Sequence, residues 1–253
     1  MAQWKRHRFC NKIDSVFDLL SFILDISDTQ PTTRNMTAET EQHRRWNLLS
    51  DFVRKTCAGR DESHGHAHMQ AAATTARRLV QKDFADRRHY HHLILDATTA
   101  AWLHDIADHK YDRDGTLQQT LDDFGYKHIS NYDHLKKVIK YVSYSSENKA
   151  LLAGTPLDYD AILTPYYALV RHIVSDADKL EAIGQIGITR AIEYTRHANP
   201  SYTEEQVNAD VRKHAHDKLL RLAADFIRTP AARALARQRH AEMAQWVQTD
   251  PNK

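Results

Sequence analysis

A chain of 253 residues has room for one large domain, and its balance of 42% hydrophobic and 27% charged residues is that of an ordinary globular protein. Seven glycines and six prolines are too few for a turn-rich β fold and favour helices. A formal net charge of +2 gives no mandate for a nucleic-acid polymer or an anionic membrane as partner, and no run approaches the roughly 20 apolar residues that span a bilayer.

Residues 1–36 read as a partly helical N-terminal extension. Lys5, Arg6, Arg8 and Lys12 resemble the start of a targeting peptide, but Asp14, Asp18, Asp25 and Asp28 fit one poorly. A single domain over 37–250 follows. The spacing of Trp46, Leu49, Phe52 and Val53 predicts a helix over 37–58, with Thr37 as its cap. Residues 61–68 open a second helix, capped by Ser63, that continues through Met69, Ala72, Ala73, Ala76, Leu79 and Val80. A third covers 91–107, and a polar loop spans 108–115. Helices are predicted over 116–124 and 131–144, and 143–163 is the longest irregular stretch. Helix 165–182 is apolar around most of its circumference, which belongs in the middle of a bundle. Two amphipathic helices, 204–227 and 230–247, close the chain. The fold class is all-α. Cys10 and Cys57 are read as free thiols in a reducing, cytoplasmic setting.

Seventeen histidines are the compositional outlier and keep metal chemistry in view. Three places carry it: His64, His66 and His68; then His104-Asp105; then Asp176-Ala177-Asp178. On helix 91–107, Leu93, Ala97, Ala100 and His104 share one stripe, so His104 continues a core-facing surface. Carboxylates inside the apolar helix 165–182 need a cationic partner, either Lys179 or a metal held jointly with the histidines. Imidazole and carboxylate together suit a divalent ion such as manganese, iron, zinc or magnesium. Ligands drawn from three helices leave open positions for water and a phosphate oxygen, as catalytic sites do. Helical phase around Ile173 places Asp176 nearer the apolar arc, leaving Asp176 and Asp178 as alternatives.

These residues resemble the HD-domain superfamily of metal-dependent phosphohydrolases over about residues 40–245. The similarity is most specific in the heptapeptide His104-Asp105-Ile106-Ala107-Asp108-His109-Lys110 and in the segment Ser175-Asp176-Ala177-Asp178-Lys179-Leu180-Glu181. The second segment, continued through Ile188-Thr189-Arg190, and the tail His216-Asp217-Lys218-Leu219-Leu220 resemble a bacterial-type branch of small HD hydrolases that split nucleotides. The resemblance implies a single helical HD domain with His68, His104, Asp105 and Asp178 as metal ligands, manganese foremost. It places His64 toward substrate. The chain departs from the branch at Gly65, where Asp is usual, so the support that Asp gives His68 is missing or comes from His66.

At such a centre Asp105 is also counted among the catalytic residues, and Asp108 is the candidate to orient or deprotonate water. Lys110, Lys179 and Arg190 are candidates to neutralise phosphate charge. The reading is a phosphohydrolase acting on a nucleotide or similar small phosphorylated metabolite, with release of pyrophosphate from a nucleoside triphosphate as the specific form. The alternatives are a phosphomonoesterase or cyclic-nucleotide phosphodiesterase on the same metal site, and a non-catalytic metal or nucleotide sensor.

Overall fold

The computed structural model describes residues 31–60 and 64–249. Among them are ten α-helices and no β-strand. They are α1 Pro31–Thr56, α2 His66–Phe84, α3 Tyr90–Leu103, α4 Thr116–His128, α5 Tyr132–Lys140, α6 Tyr144–Leu152, α7 Tyr159–Glu181, α8 Gly184–Ala198, α9 Glu204–His214 and α10 Pro230–Gln248. Two wide i→i+5 turns, Ala215–Leu219 and Leu222–Phe226, join α9 to α10.

The apolar spacing seen in the sequence builds the centre of the bundle. Leu49 and Val53 of α1, Met69, Ala73 and Ala76 of α2, Ala97 and Ala101 of α3, and Ile173 and Val174 of α7 are fully buried together. Alanines along the facing stripes of α2 and α3 let these two helices lie close, and α7 packs across both. Trp102 fills the gap toward α1, its ring meeting Trp46 edge-on at 5.2 Å. No described helix is long and apolar enough to cross a membrane.

Several boundaries differ from the expectations. Thr37 lies inside α1, which is already helical at Pro31. Ser63 and residues 1–30 of the expected extension lie outside the described residues. Helix α3 stops at Leu103, so His104 to Ala107 form turns. The stretch 143–163 is largely helical, because α6 is anchored by the inward Glu147 and α7 begins a turn early. That first turn is broken off at Thr164 (φ 68°), and Pro165 restarts the helix, where its missing N–H costs no hydrogen bond. Helix α8 went unpredicted; Gly184 turns the chain into it at φ 75°, where a Cβ would stand 2.8 Å from Arg239 Cβ.

Candidate metal centre

Three helices deliver four side chains to one point. His68 comes from the first turn of α2, His104 and Asp105 from the turn that ends α3, and Asp178 from the last turns of α7. His68 Nε2 lies 3.5 Å from Asp105 Oδ2 and 3.5 Å from Asp178 Oδ1. His104 Nε2 lies 3.5 and 3.6 Å from the same two oxygens. These separations are long for hydrogen bonds. They match the edge of a tetrahedron with metal–ligand bonds of about 2.1 Å, which is roughly 3.4 Å.

The donor set fits a divalent ion on a second observation. Among the described residues His104 Nε2 is buried with no hydrogen-bond partner, an arrangement that costs free energy unless a Lewis acid occupies the lone pair. Its other nitrogen, Nδ1, donates to Ala101 O at 2.8 Å, which fixes the tautomer so that Nε2 faces the cluster. His68, His104 and Asp105 offer donor atoms all within 4.8 Å of one another and could hold an ion; Asp178 Oδ1 approaches both imidazoles from the side of α7 without joining that group of three. Burial opposes charge on His104, but the Asp105 and Asp178 carboxylates outweigh it and raise its pKa to about 9. Burial likewise opposes ionisation of Asp105, yet the two imidazoles bring it down to about 2; Asp178 is also held well below the usual carboxylate range. The carboxylates therefore draw in positive charge, either as a proton on His104 or as a metal that displaces it.

Asp176, the alternative ligand, faces elsewhere. It is fully buried and accepts from Arg228 N at 2.8 Å, Thr229 N at 2.6 Å and Thr229 Oγ1 at 2.7 Å, tying α7 to the start of α10. Helical phase pointed to it because it is indeed the more buried of the two, but its partners are backbone and hydroxyl groups.

The other predicted residues divide. His64, Asp108, Lys110 and Arg190 line a cavity of about 1180 Å³ that opens at the centre. His64 precedes α2 instead of lying on it, and its Nε2 is 3.3 Å from Lys110 Nζ. Asp108 Oδ1 accepts from Lys110 N at 2.8 Å, which shapes the loop. Arg190 donates to Glu181 O at 3.3 Å. Lys179 also borders that cavity but is only 2% exposed, and its ammonium meets Ser175 Oγ and lies 3.4 Å from Glu147 Oε2. Its charge balances a buried carboxylate. His66 does not support His68 either. Its Nε2 bonds Ser50 Oγ at 2.9 Å and its ring packs on Trp102, while His68 Nδ1 has no partner among the described residues.

Sequence reasoning missed Arg60. Its guanidinium donates to Asp105 O at 2.8 Å and Ile106 O at 2.6 Å, capping the carbonyls left open where α3 ends. The same group stacks over Tyr111 at 4.5 Å. No local spacing signals a contact across 45 positions.

No family model matches the chain. YpgQ of Bacillus subtilis is 31% identical over 194 residues, covering 74% of this chain and 83% of that protein. Its crystal structure in complex with ADP superposes with a TM-score of 0.53 at 24% identity, over 81% of this chain and 93% of the other. A Lactobacillus plantarum structure gives a TM-score of 0.60 at 28% identity, over 81% and 93%. An HD-superfamily hydrolase from Bacillus thuringiensis shares the fold, with a TM-score of 0.52 at 21% identity over 83% and 94%. The chain belongs to the family of YpgQ, and its fold is that of the HD-superfamily hydrolase.

Proposed function

We propose that the protein is a metal-dependent phosphohydrolase of the HD type that acts on nucleotides, and that it splits nucleoside triphosphates with release of pyrophosphate. The observation that carries the reading is the ring of four donor atoms, spaced 3.5–3.6 Å apart, at the wall of a large cavity lined by cations. The ADP bound by YpgQ supports a nucleotide as the ligand.

In this reading His68, His104, Asp105 and Asp178 hold a divalent ion, with manganese first among the candidates that suit mixed nitrogen and oxygen donors. Bound there, such an ion lowers the pKa of a water molecule and polarises a phosphoryl oxygen. The chain's own residues do the rest. Asp105 and Asp178 supply the negative charge that keeps the centre loaded. Asp108 spends Oδ1 on the Lys110 amide, and its second oxygen orients or deprotonates the attacking water, a role worth about 10²–10⁴ in rate. Lys110, held beside His64, and Arg190 neutralise phosphate charge at the cavity wall. The buried, free Cys57 supports the cytoplasmic setting in this reading.

A nucleotide panel with manganese, with products identified by mass spectrometry, tests the proposal. Pyrophosphate and a nucleoside monophosphate are expected from a triphosphate; no turnover at high enzyme concentration would overturn it. The sensor reading has one observation in its favour, the unpartnered Nδ1 of His68 behind Gly65. It predicts nucleotide-dependent thermal stabilisation without any product.

A further inference from the structure

Lys218 stands on the wide turn Ala215–Leu219, remote in the chain from every residue assigned above. Wide turns of this kind commonly mark functional sites. Here Lys218 lines the cavity that opens at the metal centre, and its ammonium rests 4.7 Å above the ring of Tyr144. An aromatic face holds a cation in place without neutralising it, as a carboxylate would. The adjacent carboxylate is already taken: Asp217 pairs with Lys213 at 2.9 Å. Among the described residues Lys218 has no ion-pair partner.

Its surroundings make that charge unfavourable as it stands. Burial lowers the Lys218 pKa, the Asp178 carboxylate works against this, and the Lys110 ammonium adds to it. Two lysines from separate segments, Lys110 and Lys218, line one cavity beside the metal centre. Like charges gathered in a partly dehydrated space are relieved by an anion that bridges them.

The geometry points to Lys218 as a phosphate-binding residue that acts with Lys110, gripping the part of a di- or triphosphate chain beyond the phosphoryl group at the metal centre. The inference rests on the nucleotide phosphohydrolase reading and adds a preference to it: affinity rises with the length of the phosphate chain.

The test compares the α,β-methylene analogue of ATP with AMP, titrated calorimetrically into protein with manganese in excess, alongside the manganese content of each variant. Lys218→Met keeps the stem on Tyr144 and removes the charge. It is expected to weaken the triphosphate analogue about tenfold or more, the size of one charge-assisted hydrogen bond, while AMP affinity and manganese content stay near wild type. Lys218→Arg is expected to restore most of the loss. Lys55→Met, at an exposed lysine outside the cavity, is expected to change neither. If Lys218→Met binds the triphosphate analogue like wild type, the inference is overturned while the hydrolase reading stands. If the wild type binds neither nucleotide, both fall.

Discussion

Asp176 and Asp178 sit two residues apart on α7 and serve different structures. Asp178 Oδ1 lies 3.5 Å from His68 Nε2 at the metal centre, whereas Asp176 Oδ2 takes the Thr229 amide and hydroxyl on the other side of the helix. The two therefore separate by mutation. Asp178→Asn is expected to lose the bound ion. Asp176→Asn is expected to keep the ion and lose about 1–3 kcal/mol, because one buried donor is left facing an amide hydrogen. Metal content by elemental analysis and urea denaturation of the metal-free protein read the two effects independently.

Arg60 is expected to act on the centre through the backbone. Its fork holds the carbonyls of Asp105 and Ile106 at 2.8 and 2.6 Å, and thereby sets where the Asp105 carboxylate stands. Arg60→Ala should weaken manganese binding about tenfold, in the range seen when the groups supporting metal ligands are removed. Arg60→Lys, which cannot span both carbonyls, should recover only part of that. Calorimetric titration of manganese checks both, and unchanged affinity in Arg60→Ala would assign the contact to stability alone.

Acid should unfold the protein in two stages, both traced to the buried cluster where α6 meets α7. His172 is kept neutral by burial and by the Arg171 and Arg228 cations, which push its pKa down to about 3 from the ordinary 6.5; Lys179 adds to this and Glu147 opposes it. The unfolded chain takes up that proton as pH falls below about 6.5 and the native state does not, so stability declines through this window. Glu147 is brought down to about 2, from 4.5, by Arg171 and Lys179 against the opposing effect of burial. Its contribution, roughly 3 kcal/mol, is fully present above the unfolded value and is lost as pH falls from about 4.5 toward 2. Denaturation midpoints at stepped pH should show wild type weakening from about pH 6.5. His172→Gln should weaken less than wild type between about pH 6.5 and pH 4.5.

The buried face that leads to His104 was legible because the helix that carries it is strongly periodic, whereas His68 and Asp178 were singled out by the family resemblance alone. Leu93, Ala97, Ala100 and His104 do share the inward face, and α7 is buried on nearly every side. The same regularity misled where side chains answer to distant partners. Lys179 follows Asp178 in sequence, yet Glu147 of α6 draws it into the core. Asp105 takes its direction from a turn capped by Arg60, since α3 has already ended at Leu103. Helix α6 escaped notice because its principal anchor is Glu147, fixed by Arg171 at 2.7 Å; an ion pair across 24 positions leaves no hydrophobic period to read.

Anomalous diffraction from crystals grown with manganese tests the central claim most directly. A single strong peak, coordinated at once by His68 Nε2, His104 Nε2, Asp105 Oδ2 and Asp178 Oδ1, is the predicted result. A map with no peak among those four atoms, or one in which the ion sits on Asp176 or on His64 and His66, would contradict it.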